Sequence, residues 1–97
     1  MNKNTLVFKI SDENDFSRLN ASQNITNFIA DLSSLRNDMH KLLINNFTKF
    51  EKYVSANNGS FVIVSNVNFD ENLNIVPTLQ EAYDFIDMEE MERQLNL

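Results

Sequence analysis

Few side chains in this chain could do chemistry. The single histidine, His40, lies two residues after Asp38, and there is no cysteine and only one glycine. An imidazole beside a carboxylate can serve as a general base or supply one metal ligand. A second histidine or a thiolate would be needed to complete a metal site, and neither exists here. The other dense set of ionisable groups is Asp84, Asp87, Glu89, Glu90 and Glu92. Such density suggests calcium, yet no Asp-x-Asp-x-Asn-Gly loop is present, and carboxylates strung along a helix cannot wrap one ion with about six or more oxygens. A nucleophile elbow, a phosphate-cradling glycine loop and a Cys–His pair are all out of reach of this composition. The expectation is a protein that is not an enzyme and needs no cofactor or metal. His40 is read as a solvent-facing helix residue and Asp38 as a helix cap.

The elements that would position these residues can be read from spacing. The 97 residues suit one domain with one core, and 42% apolar and 23% charged residues are ordinary for a soluble globule. Thr5-Leu-Val-Phe-Lys-Ile10 reads as a strand, followed by a turn-rich stretch and an edge-like strand near 16–20 paired with it as a hairpin. Residues 25–32, with Phe28, Ile29, Ala30 and Leu32, read as an inner strand. Asn37 or Asp38 then caps a long helix on which Met39, Leu42, Leu43, Phe47, Phe50 and Val54 recur at intervals of three and four. It closes near 56–59, where Gly59 is expected to adopt the left-handed conformation of a helix stop. Phe61-Val-Ile-Val-Ser65 is a short, β-branched apolar run, hence a buried central strand, and strand–helix–strand predicts a parallel crossover.

The last third is a short strand delivered into an acidic helix. Thr78 and Glu81 have the spacing of a capping box, directly after Pro77. Residues 70–97 hold eight acidic residues and one arginine, whereas 1–69 hold seven basic and six acidic ones, so the whole excess behind the net charge of −6 lies at this end. That charge argues against nucleic acid or an anionic membrane as a partner. No apolar run reaches the roughly 18 residues of a membrane span, and a cytosolic protein is expected. On this helix Leu79, Ala82, Tyr83 and Ile86 make a core-facing stripe. Phe85, Met88, Met91 and Leu95 make a second stripe rotated from the first, which serves either more core or a contact with another chain.

Asn58-Gly-Ser-Phe-Val-Ile-Val64, Leu73-Asn-Ile-Val-Pro-Thr-Leu-Gln-Glu-Ala82 and Met88-Glu-Glu-Met-Glu-Arg-Gln-Leu95 resemble the C-terminal half of STAS domains, the domains of sulphate transporters and anti-sigma-factor antagonists. Arg18-Leu-Asn-Ala21 and Ile29-Ala-Asp-Leu-Ser-Ser-Leu35 are similar to that family's second and third strands. The resemblance implies an α/β fold: a mixed β-sheet of four to five strands, with two main helices packed on it, mainly on one side. The family's phosphoacceptor motif, Asp-Ser-Ser-Gly-Leu, is replaced by Asp38-Met-His-Lys-Leu42. The first crossover helix is missing, because only residues 21–24 separate the second strand candidate from the third, which would then run antiparallel.

What the resemblance implies for function is a regulatory module that docks a protein partner, such as an anti-sigma factor. It would do so through Asn37, Asp38, Met39, His40 and Lys41 and the acidic terminal helix, without a phosphorylation switch at that place. The alternative is a structural homodimer joined through Phe85, Met88 and Met91. Ligand binding at the strand ends, implied by some members of the family, has no glycine-rich phosphate loop to support it here.

Overall fold

The computed structural model describes residues 4–10, 25–35 and 39–95. Within them the chain forms β1 (Thr5–Lys9), β2 (Asn27–Asp31), α1 (Ile44–Ala56), β3 (Phe61–Val64), β4 (Ile75–Val76) and α2 (Leu79–Leu95). The strands lie side by side in the order β1-β2-β3-β4, and each neighbouring pair is parallel. Phe28 stands opposite Phe61, Ile29 opposite Val62 and Ile63 opposite Ile75. The β2–α1–β3 unit is therefore the expected parallel crossover, and Phe61–Val64 is an inner strand.

The mixed sheet is corrected: among the described residues the sheet is all parallel. β1 and β2 are direct parallel neighbours, joined through residues 11–24, which lie outside the described residues together with the expected hairpin strand at 16–20 and the antiparallel pairing built on it. β4 is only two residues long because Pro77, which follows it, has no N–H to continue the ladder.

Placing the helices on one side is corrected as well. Alternation along the strands sends Phe28, Ala30, Phe61 and Ile63 into a core with Leu43, Phe47 and Val54 of the α1 side. Ile29, Val62 and Val64 point the other way, against Ala82 and Ile86 of α2. Among the described residues, α1 thus covers one face of the sheet and α2 the other. The α1 layer is aromatic: Phe50 meets Phe28 and Phe61 edge-on, with ring centroids 5.0 Å away in each case. Such T-shaped pairs add about 0.5–1.5 kcal/mol each beyond area burial.

The long helix is shorter than its apolar stripe suggested. Lys41–Leu43 form a 3-10 turn, and the α-helix begins only at Ile44. The tighter turn rotates side chains away from the 3.6-residue rule, so Leu42 is 68% exposed although it belongs to the periodic stripe. The caps expected at Asn37 or Asp38 lie outside the described residues.

The end of α1 differs in detail from expectation. Gly59 does not adopt positive φ; Asn58 does, at 61°. Asn58 N–H bonds to the Ser55 carbonyl at 3.0 Å and Gly59 N–H to the Val54 carbonyl at 2.9 Å, the paired bonds of a Schellman stop. The glycine is needed for another reason: a Cβ at 59 would lie 1.7 Å from the Thr26 carbonyl oxygen. The backbone entering β3 passes too close to that entering β2 for any side chain. Gly59→Ala is expected to cost more than roughly 4 kcal/mol in urea unfolding, whereas Asn58→Gly, which relieves a left-handed residue, leaves stability equal or higher. Equal tolerance of both substitutions would contradict this packing.

Candidate functional site

In a parallel sheet, ligands settle outside the carboxyl ends of the strands where neighbouring connections leave toward opposite faces. Here β3 and β4 make such a divergence. The chain after β3 stays on the α1 side, where Phe69 and Leu73 join the aromatic core, whereas the chain after β4 turns through Pro77 and Thr78 into α2 on the other face. Between them opens a recess of about 70 Å³, whose lining residues include Ser33, Leu35, His40, Ser65, Asn66 and Pro77. Among the described residues, no charged side chain lines it.

His40 is the central surprise of this recess. It is only 2% exposed, against the expectation of a solvent-facing residue. Its ring lies 4.9 Å from that of Phe69, and its Nε2 sits 3.2 Å from the Ser65 Oγ. The burial follows from the turn that precedes α1: residue 40 lies ahead of the 3-10 segment and faces inward, where a continuous helix would have turned it out. Ser65 is held from both ends. Its N–H donates to the Val76 carbonyl at 2.9 Å, and its Oγ accepts from Val67 N–H at 3.1 Å. A serine within hydrogen-bond reach of an imidazole is one component of a nucleophilic site, but this hydroxyl is already engaged with the backbone of its own turn. The chemistry on offer is hydrogen bonding.

A second polar cluster occupies the opposite, amino-terminal edge of β2 and β3. Asn27 and Ser60 are fully or almost fully buried there. Asn27 Oδ1 accepts from Ser60 N–H at 3.0 Å, while Asn27 Nδ2 donates to Glu90 Oε2 at 3.0 Å. Ser60 Oγ donates to Glu89 and accepts from Arg93 Nη1, the latter at 3.0 Å. Glu89 and Arg93 are also 4.0 Å apart as an i,i+4 pair. Two of the five carboxylates once weighed as cation ligands are therefore attachments of α2 to the sheet. Among the described residues no three acidic or histidine side chains converge on a metal-sized space.

The outer face of α2 is different. Met88 is 63% exposed, Met91 62% and Leu95 79%. Asp84, Asp87 and Glu92 flank this stripe and are exposed too. Phe85, assigned to the same stripe, is half-buried against the Ile29–Val62 cluster. The sequence-derived site therefore divides. Asn37 and Asp38 lie outside the described residues, Met39 packs on the α1 core, His40 is buried and Lys41 is exposed. Met88 and Met91 stand on the far side of the sheet and share no surface with Lys41. Ser33, Asn27, Ser60, Ser65 and Asn66 were not anticipated. Ser60 and Ser65 bracket the Phe-Val-Ile-Val run, and that placement was the available clue.

Comparisons with family models, with curated proteins and with solved structures give no match to this chain.

The buried position of His40 has a measurable consequence. His40→Ala is expected to destabilise the fold by about 2–4 kcal/mol through cavity formation and a stranded Ser65 hydroxyl, read from the urea midpoint. A change within about 0.5 kcal/mol, the range of surface substitutions, would place the imidazole in solvent.

Proposed function

We propose that this chain is a non-enzymatic, STAS-like protein-docking module, in the manner of anti-sigma-factor antagonists, and that the outer face of α2 is its principal contact surface. The observation that carries the reading is the exposed Met88–Met91–Leu95 stripe set among Asp84, Asp87 and Glu92. Methionine at a surface adapts to varied partners, and an apolar strip rimmed by one sign of charge favours a partner of the opposite sign. The partner is accordingly a basic protein segment with its own apolar stripe, engaged as a helix against a helix. Attachment of α2 through Asn27, Ser60 and Arg93 supports the reading, since it holds the outer face in place before binding.

Of the site proposed at the start of α1, Lys41 is exposed with Leu42 beside it, Met39 and His40 are turned inward, and Asn37 and Asp38 lie outside the described residues. Positions 38–42 lack the serines that phosphorylation would require. Among the described residues no helix is long and apolar enough to cross a membrane. Self-association is the second reading. It is disfavoured because two copies would set the acidic rims of Asp84, Asp87 and Glu92 against each other.

The double substitution Met88→Asp, Met91→Asp is expected to leave the urea midpoint unchanged and to weaken binding of a synthetic Leu/Lys amphipathic peptide at least tenfold by fluorescence anisotropy. The wild type is expected to be monomeric by light scattering. A wild-type dimer that the same substitutions dissociate would favour the second reading, and unchanged peptide affinity would refute the docking face.

A further inference from the structure

We propose that Met88 and Met91 form a site of reversible methionine oxidation, which turns off the docking face of α2 when hydrogen peroxide converts both thioethers to sulfoxides. The switching rests on the docking reading above, and the modification itself stands on the exposure of the two sulfurs. The chain has four methionines and no cysteine, so thioethers are the sulfur groups that a peroxide meets. Met1 lies outside the described residues. Met39 packs against the core under α1, whereas Met88 and Met91 are 63% and 62% exposed. They stand three residues apart in one helix and so share a face.

Each oxidation transfers one oxygen atom. A sulfur lone pair attacks one peroxide oxygen, the O–O bond breaks and an S–O bond forms. The sulfur loses two electrons, and the second oxygen leaves with both protons as water. Hydrogen peroxide is uncharged, so Asp84, Asp87 and Glu92 around the pair do not repel it. The return step is reduction by methionine sulfoxide reductases, one enzyme for each sulfoxide epimer. Two thiols supply the two electrons and become a disulfide, and the oxygen leaves as water.

Fold and face respond differently to this change. α2 is seated by Ala82 and Ile86, with Tyr83 and Phe85 beside them, and by the bonds of Glu89, Glu90 and Arg93 to Ser60 and Asn27. These contacts do not use Met88 or Met91, so two exposed sulfoxides leave them intact. The face itself turns from apolar to polar. A sulfoxide oxygen accepts hydrogen bonds, and the neighbouring carboxylates only accept as well. An apolar strip of a partner laid over the pair would bury both oxygens without donors, at the penalty of any unpaired buried polar group. Oxidation of Met39 would instead put the same polar group against the core, and that would be a lesion of the fold.

The test treats the full chain with hydrogen peroxide and reads peptide mass spectrometry, the urea midpoint and fluorescence anisotropy with the Leu/Lys amphipathic peptide. One added oxygen on each of Met88 and Met91 is expected, with Met39 unmodified until urea unfolds the chain. The urea midpoint is expected to stay unchanged while the peptide binds about tenfold more weakly, and the two reductases are expected to restore its affinity. Met88→Leu, Met91→Leu carries no oxidisable sulfur on this face. Its peptide affinity, whatever the starting value, is expected to be the same before and after peroxide, and a remaining loss would count against the site. Oxidation of Met39 as fast as Met88 and Met91, or a fall in the urea midpoint, would overturn the site. Unchanged affinity of the doubly oxidised chain, where Met88→Asp, Met91→Asp does weaken binding, would overturn the switch and leave the docking face standing. Absence of binding by the untreated chain would refute the docking reading and the switch with it, while the mass and stability readouts still decide the modification.

Discussion

Between Ser60 and Ser65 the chain has neither a free edge nor a wet face. Its backbone pairs with β2 on one side and β4 on the other, in parallel register. Phe61 and Ile63 enter the aromatic layer under α1, and Val62 and Val64 enter the smaller layer under α2. A strand buried on both faces must be apolar at every position, and the four residues Phe-Val-Ile-Val meet that requirement. Everything else in the molecule is arranged about this strip. The glycine before it lets two backbones approach closely, and the serines at its ends begin the two polar clusters.

Those clusters differ in what they leave open. At the amino-terminal edge, Asn27 and Ser60 are satisfied by Glu89, Glu90 and Arg93, so the polar half of α2 is drawn onto the sheet as firmly as the apolar half that carries Ala82 and Ile86. At the carboxyl edge, His40 and Ser65 satisfy each other around a space that remains open to solvent. The first cluster is an attachment and the second is a recess.

The sequence made much of this readable, for identifiable reasons. The crossover was legible because a continuous β-branched run after a 3.6-periodic stripe leaves few alternatives. The start of α2 was legible because Thr78 and Glu81 report a local geometry, and the Glu81 N–H does bond to Thr78 Oγ1 at 3.2 Å. The side of the sheet taken by α2 was not legible, because it depends on the direction in which Pro77 releases the chain. His40 was misread because exposure was inferred from an α-helical wheel in a stretch that is 3-10. Glu89 and Glu90 looked like solvated surface because their partners, Ser60 and Asn27, lie 29 and 63 residues away in sequence. Spacing along one helix cannot report such contacts. The stop of α1 was placed correctly, yet the left-handed residue was taken to be Gly59, although Asn58 also tolerates that conformation.

The parallel seating of residues 61–64 between β2 and β4 is the claim on which both surfaces depend. NMR couplings transmitted across hydrogen bonds test it most directly. The account predicts a coupling from the Phe28 N–H to the Ser60 carbonyl and another from the Ser65 N–H to the Val76 carbonyl, whose bonds are both 2.9 Å long. Couplings that instead follow an antiparallel pattern, or their absence on one side of this strand, would contradict it.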